Sequence, residues 1–527
     1  MVALLLVLNT GPLLAQPIDL RVTAEGAFDY FATGAPLAID GPDADTTQVD
    51  MLNQPASVEV TAADVPATGT VVLSFLYWAG TIADQADCAT APSATDDDVE
   101  LTLPGAEYPA VITADICFCA AGASSYDIQA CRADITSLVA ASGMLGTFTV
   151  DAFDARIRNG STDNASFSLV LIYEEPALLP PRRYALYDGV EEFYEGSRTL
   201  ALSGLDVDTP AHGDLTWYVL DGDIGGTPPE LVNVTGTPGG GSTDLSDAIN
   251  PANNPMNRTI NTTTPVQTGV LGVDIDWLDI SSGLTPEDTG VDMTYTAGGD
   301  KYWVVYNIVG IDVYRALIHP QYSYKTWELQ VDADASGGPT PGDTVRYTIH
   351  LHNSGTAPGY VSVTDTIPGA AASWWVVSDG GGTDLSTDTT LIIEDIYVGA
   401  GDNAEVIFDM VLAPGTEGTI IENSADFDGS PDGNSGTLTA DPLHVGSGLD
   451  DTPPEEAELE EDVPDAHPEE DVTADGFPDA ADAADEDADV PGEDAATDAH
   501  EDTPVDAWSD TQPDDNSSPG GCGCLLV

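Results

Sequence analysis

The sequence contains very little positive charge. It has 12 Lys plus Arg against 91 Asp plus Glu in 527 residues, a formal net charge of −79, and its only lysines are Lys301 and Lys325. Nucleic acids and anionic lipid headgroups are bound mainly through clustered Lys and Arg side chains, so this scarcity excludes nucleic-acid binding. A Lys-poor, acidic surface suits high ionic strength, where salt screens repulsion between carboxylates. The composition therefore indicates a saline habitat.

Long apolar runs are missing as well. No segment approaches the roughly 18 to 20 apolar residues that a membrane-spanning helix needs, so no transmembrane span is expected. The run at the amino terminus is shorter, carries no charge and ends at Ala15 before Gln16. This pattern is typical of a secretory signal peptide with its cleavage site, although the basic residues that usually precede the run are absent. We assign residues 1–15 to a signal-peptide remnant and expect export.

Motifs of common catalytic sites are also absent. The sequence has no G-x-S-x-G elbow, no G-x-x-x-x-G-K-[ST] phosphate loop, no G-x-G-x-x-G between a strand and a helix, and no H-E-x-x-H zinc motif. The seven histidines are scattered, and the abundant carboxylates single out no acid–base pair. We therefore expect that the protein is not an enzyme and requires no cofactor.

The six cysteines fall into two groups. Four lie in one loop-rich stretch, namely Cys88, Cys117, Cys119 and Cys131. In an exported chain these four predict two disulfides. Because Cys117 and Cys119 are too close to pair with each other, one should pair with Cys88 and the other with Cys131. A zinc site of four thiolates is the alternative, but the spacing does not match the usual C-x2-C pairs.

Strand patterns dominate the rest of the chain up to residue 446. Alternating or β-branched and aromatic runs recur between Gly, Pro, Asn and Asp, for example at 70–78, 166–173, 302–309 and 344–351. Only 133–141 has a helical pattern, and no βαβ rhythm occurs. The predicted fold class is all-β, with tandem antiparallel β-sandwich domains. The predicted domains are 16–200, 201–323, packed on the first, and 324–446.

Residues 325–445 carry four motifs in a fixed order. These are Pro341-Gly-Asp-Thr-Val-Arg-Tyr-Thr-Ile-His-Leu-His-Asn-Ser-Gly355, Val363-Thr-Asp-Thr-Ile-Pro368, Pro414-Gly-Thr and Ile421-Glu-Asn-Ser-Ala425. In this order they resemble the bacterial "domain of unknown function eleven" repeat, an immunoglobulin-like module of surface proteins. The resemblance implies a fold and a surface setting but no activity. Residues 60–320 resemble, more loosely, the β-rich module that often precedes such repeats.

The resemblance also implies a cross-link. Some relatives of these modules, in fimbrial proteins, carry an isopeptide bond between a Lys on the first strand and an Asn on the last, promoted by a buried acid. The matching residues here are Lys325, Asn423 and Asp365. Burial would lower the pKa of the lysine and raise that of the acid, as amide formation requires. An exposed lysine and a turn-capping asparagine are the simpler alternative.

Paired aspartates suggest calcium binding. Calcium takes six to eight oxygen ligands, and three groups could supply several of them: Asp221 with Asp223, then Asp274 and Asp276 with Asp279, and finally Asp426 and Asp428 with Asp432. None reproduces an EF-hand, and such pairs arise by composition in a chain this rich in Asp. A calcium-dependent, lectin-like module that binds an extracellular protein or glycan is the alternative to a structural or adhesive role.

The composition changes after residue 446. Between Asp450 and Asp515, 28 of 66 residues are carboxylates and none is Lys or Arg. Such a segment cannot bury enough apolar surface to fold, and its charges repel each other. Residues 447–527 are therefore predicted to form a disordered acidic stalk. The whole sequence thus predicts a non-enzymatic structural or adhesive protein, displayed on the outer surface of a bacterium or secreted.

The sequence ends in Gly-Gly-Cys522-Gly-Cys524-Leu-Leu-Val. This ending resembles the start of the C-terminal sorting signal of myxobacteria, in which such cysteines precede an apolar helix and a basic cluster. The resemblance implies anchoring to the cell envelope through Cys522 and Cys524, although the helix and the basic cluster are absent. Pairing of the two thiols across chains is the alternative.

Overall fold

The structure is a computed structural model. It describes residues 5–6, 17–41, 48–83, 95–121, 126–158, 163–175, 180–222, 230–239, 241–299, 301–429 and 435–447. The chain divides into two units, Met1–Ala457 and Glu458–Val527, and every described residue belongs to the first. Residues 448–527 of the predicted stalk lie outside the described residues, and so do five candidate site residues: Cys88, Asp223, Asp432, Cys522 and Cys524.

The amino-terminal part contains thirteen described strands and one α-helix, α1 (Thr136–Ser142). The strands are β1 (Leu5–Leu6), β2 (Asp19–Gly26), β3 (Phe28–Pro36), β4 (Ala38–Ile39), β5 (Met51–Leu52), β6 (Ala56–Val60), β7 (Thr70–Ala83), β8 (Asp98–Thr102), β9 (Ala110–Thr113), β10 (Ile116–Ala121), β11 (Tyr126–Asp134), β12 (Gly146–Asp151) and β13 (Ala165–Glu174). The first strand falls within the predicted signal peptide and pairs with β2.

The middle part contains ten described strands and a short 3-10 helix at Ser281–Gly283. The strands are β14 (Arg182–Phe193), β15 (Gly196–Ser203), β16 (Gly213–Leu220), β17 (Leu231–Thr237), β18 (Ser242–Asp244), β19 (Thr259–Ile260), β20 (Gln267–Thr268), β21 (Val273–Asp279), β22 (Gly290–Ala297) and β23 (Tyr302–Asp312).

The last described part contains eleven strands. They are β24 (Tyr324–Val331), β25 (Thr344–His352), β26 (Gly359–Thr366), β27 (Ala371–Asp379), β28 (Thr383–Asp384), β29 (Thr390–Val398), β30 (Asn403–Leu412), β31 (Ile420–Ile421), β32 (Ser424–Asp428), β33 (Ser435–Thr439) and β34 (Leu443–His444). The regular secondary structure of the described residues is thus almost entirely β-strand, and the predicted all-β fold class is confirmed.

Apart from the two-stranded pair β4-β5, the strands before residue 313 build four sheets that stack in layers. The outer sheet β6-β12-β8-β9 packs on the five-stranded sheet β10-β11-β7-β13-β3. The opposite face of that sheet packs on the eight-stranded sheet β1-β2-β14-β23-β16-β21-β19-β20. The eight-stranded sheet in turn covers β15-β22-β17-β18. Two antiparallel sandwiches therefore lie face to face, and three apolar cores separate their four layers.

This layering explains the continuous apolar runs in the sequence. The two inner sheets are covered on both faces, so their central strands have no solvent side. All eight residues of β16 are buried, and nine of the ten in β13 are buried. Strands change from the first sandwich to the second between β13 and β14, while β2 joins β14 in the second. A cut at residue 200 would separate β14 from its hydrogen-bonded neighbour β23.

In the third sandwich, each sheet has one buried face and one solvent-exposed face, so buried and exposed side chains alternate along its strands. Its sheets are β24-β25-β30-β27 and β28-β29-β26-β32-β33, and one apolar core lies between them. In β25 every second side chain points into that core. The turn after β25 holds the linker to the second sandwich, because buried Asn353 accepts a hydrogen bond from Leu317 N at 2.9 Å. A Cβ on Gly355 would lie 2.3 Å from Arg315 O, so only glycine fits this contact.

Candidate functional site

Three polar side chains meet inside the third sandwich. Lys325 is the one buried residue of β24, its first strand. Asp365 lies on β26, in the facing sheet, and Asn423 lies just before β32. The side chains of Lys325 and Asp365 are 0% exposed, and Asn423 is 3% exposed. The three residues singled out in the sequence as a cross-linking set are thus all buried in one core.

The contacts within this triad are short but incomplete. Lys325 Nζ lies 2.5 Å from Asp365 Oδ2. Asp365 Oδ1 and Asn423 Nδ2 are buried too, and neither has a hydrogen bond of acceptable geometry among the described residues. The Asn423 amide is nevertheless near enough to lower the pKa of Asp365. The carboxyl of Asp365 therefore interacts with both the Lys325 ammonium and the Asn423 side chain inside the core.

Burial shifts both charged groups of the triad towards neutrality. Removal from water lowers the pKa of Lys325, with the nearby Asp365 carboxylate opposing the shift. Removal from water also raises the pKa of Asp365 to about 6, against the opposing effect of Lys325. The stacked rings of Tyr347 and Phe408 lie 5.1 and 5.7 Å from Lys325 Nζ and keep the surroundings apolar. Proton transfer from the ammonium to the carboxylate is therefore eased, and a neutral amine is a nucleophile.

The cysteines of the first sandwich form a disulfide. Cys117 on β10 and Cys131 on β11 are directly opposite in register and are bonded to each other. Cys119 is also disulfide-bonded, and its predicted partner Cys88 is outside the described residues. The sequence left open which of Cys117 and Cys119 pairs with Cys131. The disulfide uses both thiols, so Cys117 and Cys131 do not form the alternative zinc site.

The structure brings together only some members of the candidate calcium groups. Asp274 and Asp276 come together because strand alternation puts both on one face of β21. Asp279 has the opposite parity and instead accepts a hydrogen bond from Ser281 N at 2.7 Å, at the start of the 3-10 helix. Asp426 and Asp428 are exposed on β32. Asp221 has a left-handed backbone with φ of 67° in the turn after β16, and its predicted companion is outside the described residues.

Asp274 and Asp276 belong to a buried group of side-chain oxygens, which we call the oxygen cage. At its centre is the hydroxyl of Thr259. The distances from Thr259 Oγ1 are 2.7 Å to Asp276 Oδ2, 2.8 Å to Asn250 Oδ1, 3.0 Å to Asn257 Oδ1 and 3.5 Å to Asp274 Oδ1. One hydroxyl proton cannot satisfy four acceptors at once. The cage therefore presents more oxygen lone pairs than the hydroxyl can use.

Electrostatics and packing define the cage further. Burial raises the pKa of Asp276 to about 7, and burial together with the neighbouring carboxylate raises that of Asp274. Backbone N–H groups of residues 257, 258 and 259 all donate to Asp274. A Cβ on Gly222 would lie 1.7 Å from Asp274 Oδ2. Sequence reasoning missed Asn250, Asn257 and Thr259, because the first two lie in the irregular segment before β19, the third begins that two-residue strand, and none of them carries a pattern of its own.

A second acidic group lies in the loop between β24 and β25. Carboxylate oxygens of Asp332, Asp334 and Asp343 all lie within 4.8 Å of one another. Their oxygens accept hydrogen bonds from backbone N–H groups of the same loop, such as Ala333 N at 2.6 Å and Gly337 N at 2.9 Å. These bonds account for the positions of the three carboxylates. We therefore interpret the group as one that stabilises the conformation of this loop.

Comparison with known proteins assigns no family. No family model matches the chain, and no curated protein matches it. Among the described residues, no helix has the length and apolar character needed to cross a bilayer.

Several solved structures show weak likeness to the chain. The N-terminal domain of a Streptococcus gordonii adhesin is 9% identical over 82% of this chain and 94% of its own, with a TM-score of 0.26. A protein described as membrane-anchored, from Corynebacterium diphtheriae, is 9% identical over 81% and 97%, with a TM-score of 0.19. A β-galacturonidase from Eisenbergiella tayi is 9% identical over 50% of this chain and only 35% of the enzyme, with a TM-score of 0.15. At TM-scores this low, these likenesses support no function.

Proposed function

We propose that the protein is a non-enzymatic structural or adhesive protein of the bacterial cell surface or its surroundings, and that its third sandwich is closed by an amide bond between Lys325 and Asn423. The observation that carries the proposal is the fully buried contact of Lys325 with Asp365, beside the side chain of Asn423, which itself interacts with the Asp365 carboxyl. A self-made cross-link serves mechanical strength, which is the property that a displayed scaffold needs.

The reaction requires only the three side chains. The Lys325 ammonium first gives a proton to Asp365, which leaves a neutral amine and a neutral carboxylic acid. Lys325 Nζ then attacks Asn423 Cγ, and a new C–N bond forms. The old bond from Asn423 Cγ to Nδ2 breaks, and Asp365 relays one proton from Nζ to the departing nitrogen, which leaves as ammonia. The products are an amide and a neutral acid, so no charge remains in the core.

The location of the bond suits a load-bearing role. Lys325 lies on the first strand of one sheet, and Asn423 precedes a strand of the facing sheet. An amide between them would tie the two sheets covalently near both ends of the domain. A pull on the chain would then meet a covalent bond before the hydrogen-bonded strands separate.

The disulfide supports the proposed compartment. Disulfides form and persist in oxidising environments outside the cytosol. The bond between Cys117 and Cys131 is therefore consistent with an exported protein. It has no bearing on whether the protein stays attached to the envelope or is released.

Intact-mass measurement tests the cross-link. The purified full chain should be lighter than its sequence mass by one ammonia, in addition to the hydrogens lost to disulfides, and Lys325→Arg should restore that ammonia. The other lysine provides the matched control, because Lys301 is 42% exposed and pairs with Glu192; Lys301→Arg should keep the loss. An intact mass without the loss in the unsubstituted chain would refute the cross-link.

The oxygen cage supports a second candidate function, calcium-dependent ligand binding. Two carboxylates, two amide oxygens and a hydroxyl are the type of ligand that calcium prefers. If calcium binds there, millimolar calcium should raise the melting temperature more than magnesium does. Asp276→Asn should abolish this response, whereas Asp279→Asn should keep it, because Asp279 lies on the other face of the strand. An equal response to both metals would remove the candidate.

A further inference from the structure

A cleft of about 710 Å³ opens at one end of the core between the five-stranded and eight-stranded sheets. Its walls come from β3, β14, β16 and β21 and from the segment 261–266. The volume is in the range of small-molecule sites. Within it, the inward-facing side chains change from the apolar residues of the core to charged and hydroxyl groups. The cleft is therefore a candidate ligand site, separate from the triad of the third sandwich.

The floor of the cleft carries unmatched negative charge. The guanidinium of Arg182, only 4% exposed, contacts Asp29, lies 2.5 Å from Asp214 Oδ2 and lies 2.8 Å from Asp312 Oδ1. One cation thus serves three carboxylates. His212 adds a contact of 3.3 Å to Asp312 and is itself on the surface. Burial raises the pKa of Asp29 to about 6, against the pull of Arg182. A cationic group bound beside Asp29 and Asp214 would offset this excess.

Two side-chain oxygens in the walls are buried. Asp214 is 4% exposed, and its Oδ1 has no hydrogen bond of acceptable geometry among the described residues. Thr262, which also lines the cleft, has a buried Oγ1 that likewise makes no hydrogen bond of acceptable geometry among the described residues. Buried polar atoms are nearly always satisfied by protein, water or ligand. Tyr30 interacts with Asp214, and the threonine side chains at 262–264 also line the cleft, so its lining is polar.

A tryptophan at the mouth of the cleft supplies an apolar platform. Trp277 continues the face of β21 that carries Val273 and Ile275, but it extends past the core and is 43% exposed. The side chain of Asn261 bonds both the backbone N and the backbone O of Trp277, each at 2.7 Å. The indole is therefore held on a fixed strand end. Exposed indoles of this kind stack on ring faces and attract cations.

We propose that this cleft binds a saccharide that carries a free amino group. The ammonium would lie beside Asp29 and Asp214, the pyranose ring would stack on Trp277, and ring hydroxyls would bond the polar segment 262–264. A neutral sugar would leave the carboxylates unmatched, and an acidic sugar would be repelled. The inference deepens the adhesive role proposed above and rests on it, because it names a class of ligand.

Isothermal titration of the full chain tests the inference with two matched probes. The glucosamine disaccharide and its N,N′-diacetyl derivative share the same rings, but only the first carries ammonium groups. The titration is done at a salt concentration that screens non-specific attraction to the acidic surface. We expect the free amine to bind at least about tenfold more tightly than the acetylated form. Equal binding, or no binding of either sugar, would overturn the proposal.

Variants locate the binding. Trp277→Ala and Asp29→Asn should each weaken the glucosamine disaccharide about tenfold or more; Asp29 is partly exposed and its loss leaves Arg182 with two carboxylates. Trp375→Ala is the control, since Trp375 is 46% exposed on β27 of the third sandwich, and it should change nothing. Equal effects of the two tryptophan variants, or tighter binding of Nα-acetyl-lysine amide than of the sugar, would contradict the assignment. The mass of the same samples reports the cross-link independently, so failure of one proposal is distinguishable from failure of the other.

Discussion

Lys325 Nζ lies 2.5 Å from Asp365 Oδ2, and neither side chain is exposed to solvent. The pair joins the first strand of the third sandwich to the facing sheet. Desolvation of an ion pair this deep normally outweighs much of its attraction. The proposed reaction would remove both charges from the core and with them this cost.

Asp365→Asn should prevent the cross-link and destabilise the third sandwich. The substitution removes the proton acceptor and leaves Lys325 buried beside a neutral amide, a change that costs about 3–5 kcal/mol in comparable buried pairs. Urea denaturation followed by tryptophan fluorescence would measure the loss, and the intact mass would show the retained ammonia. The control is Asp428→Asn, an exposed carboxylate farther along the neighbouring strand, for which we expect neither effect. Normal cross-linking in the Asp365 variant would show that this acid has no part in the reaction.

The oxygen cage should make stability depend on pH. The pKa of Asp276 in the folded state is raised from 3.8 to about 7, so the folded protein keeps a proton that the unfolded chain has already released. The associated stability is present in full below about pH 4 and is lost as the pH rises through 7, by at most about 1.4 kcal/mol per pH unit for one proton. Thermal denaturation of the unsubstituted chain and of Asp276→Asn between pH 4 and 8 measures the difference. Parallel curves for the two proteins would contradict the assignment.

Loss of the Cys117–Cys131 disulfide should destabilise the first sandwich. The two residues are 14 positions apart, and closing a loop of that length stabilises a fold by about 3 kcal/mol in the chain-entropy model. In scanning calorimetry, a double Cys117→Ser, Cys131→Ser variant should therefore show a lower melting temperature for the transition of the first sandwich. The transition of the third sandwich serves as the internal control and should not move. An unchanged calorimetric profile would mean that the bond adds nothing to stability.

Asn353→Ala should loosen the third sandwich at its junction with the second. The Asn353 side chain accepts from Leu317 N and donates to Ala357 O and Val398 O, all within a fully buried site. Alanine would leave these backbone groups without partners, at about 1–3 kcal/mol for each group that water cannot reach. Limited proteolysis after residue 315 should accelerate. Asn403→Ala, at an exposed position beside His352, is the control and should be cut at the ordinary rate.

The sequence predicted the fold class well because local patterns carry it. Strand alternation is a local signal, and the buried positions of β25 follow it. The triad was also found, since its residues stand at ordered positions in a recognisable set of motifs. The parity of Asp279 relative to Asp276 was readable from the same alternation, and it would have excluded Asp279 from the calcium group.

Long-range geometry was not predictable in the same way. The contacts of Arg182 with Asp29 and Asp214 join three strands that are distant in sequence, and no periodicity links them. The oxygen cage depends on Asn250, Asn257 and Thr259, which become neighbours only when the segment before β21 wraps over that strand. The stacking of four sheets could not be predicted from the sequence either. A continuous apolar run such as that of β16 indicates a strand buried on both faces, but it does not indicate how many sheets are stacked.

Tryptic digestion with tandem mass spectrometry tests the central claim most directly. Trypsin cuts after Lys and Arg, and the sequence offers Arg315, Lys325 and Arg346 around the first strand, with no later Lys or Arg. If the amide exists, cleavage after Lys325 fails, and the segment 316–346 remains joined to the segment that contains Asn423, with the loss of one ammonia. Free peptides 316–325 and 326–346, with Asn423 unmodified, would contradict the account.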